Sequence, residues 1–258
     1  MILNLSLCSV KSTVKNPCWF ESWFDSKYYH LMYQHRDEKE ADDFISKIID
    51  FFQPANHAKV LDLACGKGRH AIALNNCGLD VTGIDLSAQS ILDAKKNEKE
   101  GLEFFIQDMR SPFRINYFDY TFNLFTSFGY FLNVNDNRKV VKAVSSGLKK
   151  DGIFVIDFLN ERVVRKIVKE NNSGMISEGG IDFHWEKRIE NNFVLKEIEF
   201  VAENSSHKYS ECVQLLQLSD FRNLLEPYFS IEHIFGDYNL GDFDEEKSSR
   251  LIIIAKKK

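Results

Sequence analysis

Apolar residues recur along this chain at two different periods, and the change of period marks its parts. Phe44, Ile45, Ile48, Ile49 and Phe52 fall at helical spacing, and Pro54 stops the helix they predict. From there short apolar runs alternate with amphipathic ones. Strands are predicted at 57–64, 79–86, 102–108, 118–128 and 153–160, and helices at 68–78, 87–101 and 136–152. Gly78 closes the first of these helices and Ser87 is the N-cap of the second. Such alternation predicts an α/β fold, a mostly parallel sheet with helices on both faces. After Asn160 the period shortens to two, with turns at Asn191-Asn192 and Asn204-Ser205-Ser206. Residues 176–218 are therefore predicted as a small antiparallel β-meander inserted into the α/β frame. A helix at 218–229 and closing strands at 230–238 and 249–258 complete the pattern.

Composition narrows the class. With 258 residues, 44% of them apolar, the chain can bury one large core. A net charge of −5 supplies no overall attraction to a polyanion, and no nucleic-acid partner is expected. Five cysteines, an odd number without a C-x-x-C pair, predict reduced thiols and neither a disulfide frame nor a metal site. No apolar run reaches the ~20 residues of a membrane span, and the first residues lack the basic start and small-residue cleavage site of a signal peptide. A soluble cytoplasmic protein is expected, with a flexible start over 1–20 and one domain over 21–258.

The chemistry concentrates in "KVLDLACGKGRHAIAL", residues 59–74, where a buried strand runs through a glycine turn into a helix. Gly66 and Gly68 permit a tight turn and close approach of a ligand, and the amides at the helix start point outward. Gly66-x-Gly68-x-x-Ala71 also satisfies the dinucleotide fingerprint, so an NAD-dependent oxidoreductase is one reading and a purely structural turn another. Asp85 closes the second strand, where a carboxylate accepts both hydroxyls of a ribose or is simply solvated. Asp108 closes the third and can accept from an adenine amino group while the Met109 amide donates to the ring. Its other reading is a turn residue before Ser111-Pro112. Asp62, just ahead of the glycines, suits a cationic ligand better than a pyrophosphate. These acids together point to a nucleoside with a free diol and little phosphate.

"VLDLACGKGRHAIAL", "VTGIDLS", "FFIQDM" and the two closing strands, in that order, resemble the class I S-adenosylmethionine-dependent methyltransferases over roughly 21–258. The resemblance implies a Rossmann-like sheet of seven strands, the last one antiparallel between the fifth and sixth. A nicotinamide dehydrogenase has no use for that ending. S-adenosyl-L-methionine is the implied cofactor. Ala64 (glycine in most of the family), Cys65, Gly66 and Gly68 would line its methionine end, with Asp62 near its amino group. Asp85 would take the ribose, Leu86 the adenine face, and Asp108 and Met109 the base edge. Small-molecule relatives cover the cofactor with an N-terminal helix, and 21–54 resembles that lid. In it Tyr28 is either an aromatic wall or core, and Arg36 pairs either with the cofactor's carboxylate or with helix acids.

The implied reaction moves a methyl group to an N or O atom of a small-molecule acceptor. A non-catalytic cofactor-binding protein is the remaining alternative. The strand end "NLFTSFGYF", 123–131, lacks the N/D-P-P-Y/F motif of amino-base methyltransferases. Thr126, Ser127, Phe128, Gly129 and Tyr130 are expected to face the methyl group, Tyr130 either orienting the acceptor or packing. The meander is expected to roof the acceptor, with His184 a candidate for acid–base work or an ordinary strand residue. No fixed catalytic dyad is expected, because a sulfonium methyl chiefly needs in-line positioning.

Overall fold

The computed structural model describes residues 19–33 and 38–258. Of the start expected to be flexible, residues 1–18 lie outside the described residues, as does Arg36, whereas Trp19 and Phe20 begin a helix, with the Trp19 side chain buried. Two short helices, α1 (Trp19–Phe24) and α2 (Lys27–Met32), precede α3 (Glu38–Phe52). The alternating core follows as β1 (Lys59–Leu63), α4 (Arg69–Asn76), β2 (Asp80–Asp85), α5 (Ala88–Ala94), β3 (Leu102–Ile106), β4 (Phe118–Asn123), α6 (Val134–Gly147) and β5 (Leu148–Leu159). After α7 (Glu161–Glu170) come β6 (Ser173–Glu178), β7 (Ile181–Glu190), β8 (Phe193–Ala202) and β9 (Ser205–Gln214), then α8 (Leu218–Leu225), β10 (Phe229–Phe235) and β11 (Arg250–Lys257).

Seven strands form one sheet in the order β10-β11-β5-β4-β1-β2-β3. β1 to β5 pair in parallel, while β11 is antiparallel to both β5 and β10. Strand periodicity divides the core between two faces. In β11, Leu251, Ile253 and Ala255 pack with Val140 and Val144 of α6 and Phe221 of α8. Ile252 and Ile254 pack on the other face, with Phe44 and Ile48 of α3 and Leu74 of α4. The helices therefore cover both faces, and the carboxyl ends of β1 to β4 share one edge.

Several boundaries differ from the periodic reading, two of them at β4 and β5. Residues 148–152, expected to end a helix, begin β5 instead. Leu148 is buried and pairs with Phe118, so burying an apolar side chain beside β4 outweighs another helical turn. Strand β4 stops at Asn123 rather than 128, because Phe125 and Thr126 adopt left-handed backbone with φ of 55° and 63°.

The second sheet has the order β6-β7-β8-β9, all antiparallel, and begins at Ser173, three residues before the expected 176. One of its faces is apolar: Phe183, Ile198 and Phe200 pack against Trp23, Tyr28 and Met32 of α1 and α2. Glu186, Glu197 and Glu199 alternate onto the other face. Among the described residues no helix is long and apolar enough to cross a membrane.

Candidate functional site

A cavity of about 1140 Å³ opens at the carboxyl edge of the seven-stranded sheet. Turns after β1, β2, β3 and β4 supply one set of lining residues, and α1 with α2 supply the other.

The turn after β1 is held by its neighbours. Ala64 has φ 63°, the left-handed region that costs a residue with Cβ roughly 1–2 kcal/mol. The two glycines serve different ends. A Cβ on Gly66 would meet nothing within 4 Å, whereas one on Gly68 would stand 2.6 Å from the ring of buried Phe104. Gly66 therefore leaves its backbone open toward the cavity, while Gly68 is glycine so that α4 can lie close to β3. Of the residues expected at the cofactor's methionine end, Ala64, Cys65 and Gly66 line the cavity and Gly68 does not. Burial pushes the Cys65 thiol well above its ordinary pKa.

Asp85 accepts the Gly66 amide at 2.8 Å through Oδ2 and the Ser87 amide at 2.8 Å through Oδ1. Its carboxylate thus ties the β1 and β2 turns together from the cavity wall. Burial raises its pKa and these amides oppose the rise. Leu86 beside it keeps 39% of its surface exposed, unusual for leucine, and lines the cavity. Asp62 lies deeper, 2% exposed, facing α4, and its Oδ2 has no hydrogen-bond partner. Burial, then the charge of Asp85, pushes its pKa to about 7, and the Ala71 amide partly offsets them.

Asp108 and Met109 line the cavity after β3. Asp108 is already engaged. Arg110 donates to it through Nε at 3.0 Å and Nη2 at 2.6 Å, and the Arg110 amide adds a bond at 2.8 Å. Partial burial raises its pKa, but the Arg110 contacts together outweigh that and hold the carboxyl below its usual range. An adenine amino group there would have to share the carboxylate with a guanidinium.

Five expected positions are corrected, and Asp62 too is not among the residues that line the cavity. Thr126 does not face the cavity: its Oγ1 accepts from Arg250 Nη2 at 2.9 Å, and Arg250 Nε donates to buried Asp157 at 2.7 Å. Asp157 also accepts the Phe125 amide at 2.8 Å and the Tyr238 hydroxyl at 3.0 Å, so this network holds the left-handed turn from behind. Phe128 is likewise core and Gly129 packs on Phe158, leaving Ser127 and Tyr130 on the cavity. Tyr28 is buried against Phe200 and His207 in the second sheet, and Tyr29 and Tyr33 line the cavity instead. The i, i+4 spacing gives α2 two aromatic faces, Tyr28 with Met32 and Tyr29 with Tyr33. His184 is exposed on the charged face of β7, paired across from Glu199, because strand alternation turns it away from Phe183 and Trp185. It lies outside the cavity.

Other residues of the site went unnoticed in the sequence, His30 and His70 on the cavity and Asp25 beside it. His70, in the first turn of α4, is buried with an unpartnered Nε2. It lies 5.0 Å from the ring of Phe125, over which Arg69 also sits. Burial lowers its pKa to about 3. His30 of α2 also has a buried, unpartnered Nε2, and burial followed by the charge of Lys67 lowers it to about 4. Asp25, between α1 and α2, accepts from Ser87 Oγ at 2.8 Å and the Gln89 amide at 3.0 Å. That contact docks the N-terminal helices on the start of α5. "GRH" after the glycine turn was a legible signal for His70; the pairings of Asp25 span more than sixty residues and had none.

This geometry has relatives. A methyltransferase-domain family matches residues 54–218. A methyltransferase of Geobacillus sp. strain WCH70 is 24% identical over 253 residues, covering 92% of this chain and 98% of its own length. The crystal structure of an S-adenosylmethionine-dependent methyltransferase from Clostridium acetobutylicum superposes with a TM-score of 0.74 at 23% identity, over 89% of this chain and 95% of that one. A sugar N-methyltransferase from Streptoalloteichus sp. gives 0.68 at 18% identity, over 89% and 92%.

Proposed function

The chain belongs to the methyltransferase-domain family and uses S-adenosylmethionine; on that premise we propose that it moves the methyl group to a nitrogen or oxygen atom of a small-molecule acceptor. The observation that carries this reading is a single cavity lined both by the strand-end residues and by a group of aromatic rings. Its 1140 Å³ exceeds the ~300–1,000 Å³ usual for one ligand, which suits a cofactor with an acceptor beside it. A sugar N-methyltransferase shares the fold, so the fold accommodates a small-molecule acceptor.

The residues present fit the cofactor. The orphaned Asp62 Oδ2 suits a donor such as an amino group, and the open space over Gly66 suits a ligand lying against the turn. Bound there, S-adenosylmethionine supplies an electrophilic methyl carbon. Asp85 keeps lone pairs for ribose hydroxyls beyond those used by the two amides. Leu86 offers an apolar face to the base, and Met109, with Asp108 and Arg110, meets its edge. Ser127 and Tyr130 stand on the acceptor side. In this reading α1 and α2 act as the lid and the second sheet backs it, so water is excluded from the reacting atoms. Helix α3 packs on the main sheet, and none of its described residues lines the cavity. Catalysis is then mainly positioning.

Calorimetry with S-adenosylhomocysteine tests this. Binding with a rise in Tm is expected, together with no response to NAD. Asp85→Ala should weaken binding by ~10- to 1000-fold, since hydrogen bonds to a charged group contribute roughly 1.5–3 kcal/mol each. A response to NAD with none to S-adenosylhomocysteine would overturn the reading.

A further inference from the structure

We propose that the acceptor is an aliphatic amine, held by a wall of aromatic rings that α1, α2 and the loop after β4 build along the cavity. The inference rests on the methyl-transfer reading above and narrows it.

Phe20, Phe24, Tyr29, Tyr33, Tyr130 and Phe131 all line the cavity. Their rings form a continuous surface. Phe20 meets Phe131 at 6.0 Å, and Phe24 meets Tyr29 at 4.8 Å and Tyr130 at 5.4 Å. Tyr29 meets Tyr33 at 5.1 Å. Buried Trp19 closes the gap, 5.9 Å from Phe20 and 5.4 Å from Tyr130. These contacts are edge-to-face or tilted, the arrangement aromatic quadrupoles prefer.

The hydroxyl at one end of the wall is committed behind it. Tyr33 donates to Glu211 Oε1 at 2.7 Å and accepts from Lys196 Nζ at 2.6 Å, and neither partner lines the cavity. Trp23 Nε1 donates to the same Glu211 oxygen at 2.8 Å. Lys196 and Glu211 are cross-strand partners on β8 and β9, so the second sheet pins the phenol and turns its ring to the cavity.

Charge then discriminates between acceptors. The acids among the described lining residues are Asp85, Asp93 and Asp108, and each is engaged: by amides, by Lys67 and Lys96, and by Arg110. Of the basic lining residues, Lys67, Lys96 and Arg110 pair with those acids and Arg69 sits over Phe125. Arg110 also sits 4.8 Å over the Phe131 ring and Lys196 Nζ 4.8 Å over the Tyr33 ring, so the wall already holds cations against its rings, as ring faces attract ammonium groups. In transfer to an amine, the nitrogen lone pair forms the N–C bond, the S–C pair passes to sulfur, and the positive charge moves from sulfur to nitrogen. The wall can stabilise that charge before and after the step. An ammonium has no lone pair, so the acceptor gives a proton to solvent before it attacks, and the N-methylated product then leaves as the ammonium. An alcohol must instead lose its proton as it attacks, which calls for a base. His30 and His70 are too weakly basic for that, both lowered by burial.

The test compares two probes of equal shape, choline and its neutral carbon isostere 3,3-dimethylbutan-1-ol. Their binding to the full chain is measured by calorimetry with and without saturating S-adenosylhomocysteine. Choline is expected to bind about tenfold more tightly or better. Tyr130→Leu or Phe24→Leu should erase the preference, and Tyr130→Phe should keep it. Equal affinities in the wild-type chain, or binding of neither probe, overturn the amine assignment without recourse to any variant. Binding of S-adenosylhomocysteine in the same experiments reports separately on the methyl-transfer reading. A ring-dependent choline preference without it would support the wall and sink that reading.

Discussion

At the carboxyl edge of the seven-stranded sheet, cavity residues lie within a few positions of a strand end, and their geometry is set by the turn that carries them. Gly66, Asp85 and Asp108 are of this kind, and Asp85 reaches Gly66 because β1 and β2 are neighbours. The ring wall is built otherwise. Its rings come from α1, α2 and the loop after β4, and their support comes from Glu211 and Lys196, more than 160 residues further along. One half of the cavity is local in sequence and the other is assembled by long-range packing. The halves should therefore fail differently when mutated.

The largest effect belongs to the buried acid under the glycine turn. Folding raises Asp62 from 3.8 to about 7, so its charge costs stability as pH climbs past 3.8, and the full cost applies above about 7. Asp62→Asn keeps an oxygen for the Ala71 amide and removes the titration. The variant's stability relative to wild type should rise between pH 4 and pH 7, by about 4 kcal/mol at most. Urea unfolding at a series of pH values measures it. His30 and His70, lowered by burial, act with the opposite sign and lose stability as pH falls below 6.5. They contribute equally to both proteins, so the difference isolates Asp62. A flat difference would show that Asp62 is solvated.

Next come the glycines. Gly68→Ala drives a Cβ into Phe104 at φ 83° and should cost about 3 kcal/mol in denaturant unfolding. Gly66→Ala carries only the backbone term, about 1 kcal/mol, while its methyl group enters the cavity and lowers S-adenosylhomocysteine affinity. Equal losses of stability would mean that the two positions do not divide the work between packing and ligand approach.

In the ring wall, Glu211→Gln keeps the shape but removes the charge that Tyr33 and Trp23 donate to, with Lys196 donating in turn to the Tyr33 hydroxyl. A loss of about 2 kcal/mol is expected, with S-adenosylhomocysteine affinity nearly unchanged. A large fall in that affinity would join the two halves that this comparison separates. Smallest is Ala64→Gly. Relief of the left-handed strain at φ 63° is opposed by the entropy of the unfolded glycine, leaving less than about 1 kcal/mol, read as a small shift in Tm.

The legibility of the sequence follows the same division. Strand positions, the glycine turn and the aspartates at the strand ends could be read because periodicity and turn chemistry act over a few residues. The reading failed where a side chain had two surfaces to choose from. Tyr28 and Tyr29 are adjacent, both aromatic, on a helix with an aromatic stripe on either side, and only the second sheet decides which one faces the cavity. Thr126 follows β4 as expected, but Arg250 and Asp157 turn its hydroxyl away.

By itself the sequence determined the α/β frame, the glycine turn and the acids at the strand ends, since each rests on hydrophobic period and turn chemistry, while the reversed closing strand was legible only through the family resemblance. The tertiary structure alone decided the ring wall and the turn beneath it: which rings line the cavity, where the Tyr33 hydroxyl is tied, and that Gly68 makes room for Phe104. The physical reason is that burial and hydrogen-bond satisfaction depend on partners brought together by folding, and no local pattern encodes a partner at such a distance.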